Sequence, residues 1–208
     1  LHLAPRSDLD AVVGLDVVAG HRGNELIATH ADVAVDAPER QVEAAAREHG
    51  LTHIARLTSN LLRPVPIKEL SITVTPVYVG RNAAHFAAQL VAEGKEVGVF
   101  TALAQRESDF TVPEGTSGHP LPTLPVPPAD AKPAHFPFHG RHVGYSDLME
   151  TRTIRGEIFS GPCAIWFRMK HPLVQGDAPS PCQRVAVAAD SGNGTSAVLD
   201  LKQHSFVN

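Results

Sequence analysis

Apolar and polar positions along the chain separate strand-like from helix-like stretches before any chemistry is considered. Residues 12–18 and 25–35 are rich in Val, Ile and Ala, and Gly20-His21-Arg22-Gly23-Asn24 lies between them. That turn chemistry between two apolar runs predicts a hairpin. Pro38 then opens a run of strong helix formers from Glu39 to Glu48, with acidic residues early and Gly50 as a stop, which predicts a helix. Strand-like runs follow at 53–62, 71–79, 83–92 and 96–105. Gly80-Arg81-Asn82 and Glu93-Gly94-Lys95 are tight-turn signals between the later pairs. Long strands with short turns after one helix predict an antiparallel meander curled around that helix.

The pattern then changes. Between Thr111 and Pro137 proline is dense (Pro113, Pro120, Pro122, Pro125, Pro127, Pro128, Pro133, Pro137), and such a stretch is expected to be an extended, semi-rigid linker. The organisation expected is a first half over 1–110, a linker over 111–140 and a second half over 141–208. In the second half, 147–155 and 164–170 alternate like strands. Ser180 as N-cap and Pro181 at the first helical position open a short apolar helix over 182–190. Ser191-Gly192-Asn193-Gly194 is expected to break it, and 197–201 and 205–208 look like strand material. Helices and strands on both sides of a proline linker amount to a duplication of organisation without an obvious sequence repeat.

Composition narrows the function classes. A hydrophobic content of 43% is enough for a sizeable core, and a net charge of -4 with scattered Lys and Arg offers no basic stripe for nucleic acid. No stretch approaches the ~20 apolar residues that span a bilayer, and no basic-then-apolar leader is visible, so the expected location is the cytoplasm. Cys163 and Cys182 have no metal or disulfide spacing and read as buried free thiols. His135 and His139 are separated by Pro137, so they do not share a helix face, and no HExxH pattern occurs; no metal site is expected. Ser146, Ser160 and Ser196 lack a G-x-S-x-G elbow, and Ser191-Gly192-Asn193-Gly194-Thr195 lacks the Lys-Ser/Thr ending of a P-loop. Trp166 and Phe167, on a strand, read as core or as a wall of an apolar tunnel.

Three segments carry a resemblance. The first is His53-Ile54-Ala55-Arg56-Leu57-Thr58-Ser59-Asn60-Leu61-Leu62-Arg63-Pro64-Val65-Pro66. The second pairs Val79-Gly80-Arg81-Asn82 with Glu93-Gly94-Lys95. The third runs from Pro172-Leu173-Val174 through Ser180-Pro181 to Gln183-Arg184-Val185-Ala186-Val187-Ala188-Ala189-Asp190-Ser191-Gly192-Asn193-Gly194. In this order they resemble the thioesterase-like superfamily of double hot-dog proteins, which includes the type II acyl-CoA thioesterases. The resemblance implies an α+β tandem hot dog, with antiparallel sheets each wrapped around a central helix. The chain departs from the family in two places. Ala37-Pro38-Glu39-Arg40 replaces a glycine-rich entrance to the first helix, and the sequence stops at Ser205-Phe206-Val207-Asn208, where relatives continue. Two accounts stay open: a circular permutation in which 1–37 completes the second hot dog, and a C-terminal truncation.

The same resemblance implies a site. Asp190 matches the family's water-orienting aspartate; Gly192 and Gly194 would let the backbone approach a thioester, and Asn193 can donate or accept. An Asp before a glycine-rich segment at a helix end is also commonly an ordinary turn. The family's hydroxyl and amide have no clear counterpart here, with Thr29 or Ser205 and Gln41 or Gln105 as the candidates. The expected activity is hydrolysis of medium- to long-chain acyl-CoA without a cofactor, coenzyme A entering only as part of the substrate. The rival is a non-catalytic acyl-CoA or lipid-binding protein. Hot dogs pair sheets edge to edge; a tandem chain can do this internally, and exposed sheet edges leave a homodimer open as a further assembly.

Overall fold

The computed structural model describes residues 37–66, 68–109, 111, 113–114, 126–136, 145–174, 176–189, 191–199 and 204. The hairpin expected over 12–35 lies outside them. The described residues fall into two compact units, one ending in the proline-rich stretch and one beginning at Val126.

The first unit starts with α1 (Pro38–Glu48), which has Pro38 in its first turn, where a missing N–H costs nothing. It ends where the sequence places the stop. Gly50 takes φ +68°, its N–H bonds the Arg47 carbonyl at 2.9 Å, and the Leu51 N–H bonds the Ala46 carbonyl at 3.1 Å. This is a Schellman motif, completed by contact between the fully buried Ala46 and Leu51. The strands are β1 (His53–Leu61), β2 (Leu70–Val79), β3 (Ala83–Ala92) and β4 (Lys95–Gln105). The β3–β4 connection is a two-residue turn with both φ values positive, Glu93 at 50° and Gly94 at 71°, the geometry whose twist matches a hairpin.

Strand order corrects the expected meander. Only β2, β3 and β4 run as consecutive hairpins; β1 lies antiparallel to β4, giving the order β1-β4-β3-β2. Local turn signals cannot specify this pairing, because β1 and β4 are far apart in sequence. Pro76 sits in β2, at the end of that order, with the register slipping between it and Tyr78. An end strand is where a proline does least damage to the ladder.

Alternation along β3, and along β4 from Gly98 onward past a register shift, builds the core. Ala84, Phe86, Ala88, Leu90 and Ala92 pack with Val97, Phe100, Ala102 and Ala104 beneath Val42 and Ala46 of α1. Glu39, in the first turn of α1, has its carboxyl pushed up by burial and by the nearby Glu43, against one backbone hydrogen bond that favours the charged form.

The second unit contains β5 (Lys132–Ala134), α2 (Tyr145–Leu148), β6 (Met149–Arg155), β7 (Ala164–Met169), α3 (Pro181–Ala189) and α4 (Ser191–Thr195). Its sheet is antiparallel with order β5-β6-β7. β5 lies inside the stretch assigned to the linker; Pro133 is accommodated there because β5 is an end strand of the described sheet. The strand expected from 147 begins at Met149, after one helical turn. Residues 197–199 form no strand. Met149, Ile165, Phe167, Phe136 and Ala188 form the core, with α3 over β7. Both units are α+β with antiparallel sheets, consistent with the tandem hot-dog expectation.

The N-terminus of α3 is a capping box. The Gln183 N–H donates to Ser180 Oγ at 3.1 Å, and the Ser180 N–H donates to Gln183 Oε1 at 3.4 Å. Ser180→Ala should cost about 1 kcal/mol in denaturant unfolding of this unit, and an unchanged midpoint would contradict the capping role. A carboxyl raised above its unfolded value contributes stability that is fully present below the unfolded pKa and is lost as pH rises through the folded one. Glu39→Gln should therefore raise the melting temperature at neutral pH and flatten its decline above about pH 4.5; a lower melting temperature at pH 7 would contradict the burial argument.

Candidate active site

Asp190, which the resemblance assigns to water activation, lies outside the described residues, but both of its neighbours are placed. α3 ends at Ala189 and α4 begins at Ser191. The segment read as a helix-breaking turn is thus a second short helix. Its sequence, Ser-Gly-Asn-Gly-Thr, has poor helix propensity, so tertiary contacts must hold it. They are visible. The Thr195 carbonyl accepts from the Phe159 N–H at 3.3 Å, while within the helix Thr195 Oγ1 donates back to the Ser191 carbonyl at 2.7 Å. The Ala197 carbonyl accepts from the Gly161 N–H at 3.1 Å, and Ser196 Oγ lies 3.4 Å from both the N–H and the carbonyl oxygen of Cys163.

The predicted glycines are placed on this helix. The Gly192 carbonyl accepts from the Ser196 N–H at 3.4 Å. A side chain added at Gly194 would meet the Phe159 ring at 3.5 Å, an ordinary contact distance, so the aromatic edge already occupies that side of the backbone. Asn193 belongs to α4, while its side chain lies outside the description. Of the candidate hydroxyls and amides, Thr29 and Ser205 are outside the described residues; Gln41 on α1 and Gln105 at the end of β4 belong to the first unit.

The support beneath α4 is aromatic. Phe136 lies with its ring centroid 6.2 Å from Phe159, edge-on, and 6.2 Å from Phe167, stacked, and 6.3 Å from Tyr145. The Tyr145 hydroxyl is half-buried; it accepts from Ser191 Oγ at 2.8 Å and donates to the Val187 carbonyl at 3.0 Å. Sequence reasoning missed Tyr145, since its partners are more than forty residues away.

Other chemistry in this unit stands apart from α4. A cavity of about 340 Å³ is lined by Pro128, Ala129, Glu150, Arg152, Trp166, Phe167 and Arg168, and by none of residues 191–194. Hydrogen bonds from Arg152 and then Arg168 hold the Glu150 carboxyl below the usual range. Trp166 is buried there, its indole N–H donating to the Val126 carbonyl at 3.1 Å, and it does not join the core beneath α3. Cys163 and Cys182 are half-buried rather than buried, and no disulfide joins them. Burial, and then the Glu157 carboxylate, push the Cys163 thiol up, which leaves little thiolate to act as a nucleophile. Arg184 on α3 keeps a buried Nε without a partner. Among the described residues, no three His, Cys, Asp or Glu side chains converge to hold a metal ion.

The loop that holds α4 depends on Gly156, at φ +76°, where a Cβ would lie 2.3 Å from the Pro162 carbonyl oxygen. Gly156→Ala should destabilise this unit by at least ~2 kcal/mol, read by chemical denaturation, and a neutral effect would show that the loop yields readily.

Comparison with known proteins bears directly on this arrangement. Residues 29–106 match the acyl-CoA thioesterase N-terminal domain, and residues 122–206 match the acyl-CoA thioesterase C-terminal domain. No curated protein matches the chain. Among solved structures, a hot-dog protein from Alicyclobacillus acidocaldarius is 21% identical, with a TM-score of 0.48, over 74% of this chain and 56% of that one. An acyl-CoA thioesterase II from Mycobacterium marinum is 17% identical, with a TM-score of 0.47, over 79% of this chain and 62% of that one. The chain spans about half the length of the solved structures it matches. With its N- and C-terminal domain matches in the family's own order and together covering most of the sequence, the chain belongs to the acyl-CoA thioesterase family of tandem hot-dog proteins.

Proposed function

We propose that this protein hydrolyses medium- to long-chain acyl-CoA to free fatty acid and coenzyme A, with Asp190 as the general base. The observation that carries the reading is the ordered pair of acyl-CoA thioesterase domain matches. In the reaction, the Asp190 carboxylate takes a proton from water while the water oxygen bonds to the thioester carbonyl carbon. The carbonyl oxygen gains negative charge, which backbone N–H groups of the 192–194 segment and the Asn193 amide would stabilise. The C–S bond then breaks, and the proton passes to the departing sulfur, so the aspartate is regenerated. No redox partner or cofactor enters that balance.

The acyl chain would lie between the helix and its sheet, where each buried methylene contributes about 0.8 kcal/mol. That gain per methylene is the reason for assigning longer chains. The reading extends to a cytoplasmic homo-oligomer. Among the described residues no helix is long and apolar enough to cross a membrane.

Thiol release from acyl-CoAs of graded chain length should show turnover by the intact chain, and Asp190→Ala should lower kcat by about 10²-fold or more, the usual contribution of a general base. Full activity in that variant would remove Asp190 from the mechanism. Palmitoyl-CoA binding without turnover in either protein would replace the enzyme with a non-catalytic acyl-CoA carrier.

A further inference from the structure

We infer that Tyr145 is the positioning residue of this site, and that its hydroxyl pins the backbone on both sides of position 190. The inference rests on the reading of Asp190 as the general base.

The hydroxyl bridges the two elements that flank that position. It donates to the carbonyl of Val187, in the last turn of α3, and accepts from the side chain of Ser191, the first residue of α4. A hydroxyl has one proton to give and lone pairs to receive, so the two bonds use it in both senses at once. The last four carbonyls of a helix have no partner within it, and the Val187 carbonyl is one of these. The Tyr145 hydroxyl thus meets a need of α3 and, through the same oxygen, ties down the start of the helix that follows.

The phenol is itself held from below. Its ring packs on Phe136, which also packs on Phe159 and Phe167. Its backbone belongs to the α2 turn, which is fastened to the end of β7. There the Lys170 N–H donates to the Leu148 carbonyl at 2.9 Å, and Lys170 Nζ donates to the Asp147 carbonyl at 2.8 Å. The sheet core, the aromatic cluster, the hydroxyl and the α3–α4 junction thus form one continuous support. A general base has to be held within a few tenths of an ångström of its water, and a junction between two short helices supplies no such rigidity alone.

The test compares Tyr145→Phe, Ser191→Ala and their double mutant in the intact chain. Tyr145→Phe keeps the ring in its aromatic cluster and removes only the bridging oxygen. Its kcat should fall by about tenfold with KM for acyl-CoA within about twofold, the signature of lost positioning rather than lost binding. Ser191→Ala should show the same loss in part, and the double mutant should be no worse than Tyr145→Phe, because both act through one oxygen. Ser191→Thr, which restores a hydroxyl, should recover activity. Amide hydrogen exchange provides a readout independent of turnover: Tyr145→Phe should speed exchange at residues 188–192 by about tenfold while the β6 and β7 amides stay protected. Wild-type kcat in Tyr145→Phe, or unchanged exchange at 188–192, would overturn the positioning role. If the wild-type chain itself has no turnover, the general-base reading of Asp190 fails, and the exchange measurement still decides whether Tyr145 holds the junction.

Discussion

A helix can lie close against a sheet only where the side chains between them are small, and that constraint shapes the first unit. The inner face of β3 and β4 presents Ala84, Ala88, Ala92, Ala102 and Ala104, all buried. The large residues Phe86 and Phe100 are spaced among them, and Val42 and Ala46 come down from α1. Had the alanines been leucines, the extra volume would have forced the helix away or the side chains off their rotamers. The alternation that puts these alanines inward also leaves His85, Gln89 and Thr101 outward and exposed, so one period-two pattern selects both faces.

The second unit meets the same demand by another route. Beside its three described strands, rings from Phe136, Phe159, Phe167 and Tyr145 pack against one another. Aromatic side chains bring rigidity with few torsions and, in tyrosine, a polar tip. Here the tip comes to the surface of the cluster where two short helices meet, so the packing that stabilises the unit also organises its polar edge.

Local chemistry made much of this legible from sequence. Gly50, the Glu93-Gly94 pair and Ser180-Pro181 mark element ends because a left-handed φ, a type I′ turn and a helix cap each call for particular residue types, and the structure places each where that chemistry puts it. What stayed hidden was non-local. β1 beside β4 pairs strands more than thirty residues apart, a contact with no signature in either strand. β5 was obscured by prolines that an end strand tolerates. α4 defies its own composition because Thr195, Ser196 and Ala197 bond the 159–163 loop. Asp190 was singled out through family resemblance rather than through its residue pattern, and Tyr145 not at all, since nothing near it in sequence signals a partner at Ser191.

The capping box at Ser180 and Gln183 has a consequence for how this chain can change. A cap fixes where a helix begins, and successive residues then advance by about 100° around its axis. From Pro181 to Ala189 there is no loop in which an added residue could be absorbed. One insertion there would swing everything after it by nearly a third of a turn and carry Val187 and Ser191 away from the phenol. The segment can therefore accept substitutions while being closed to changes in length.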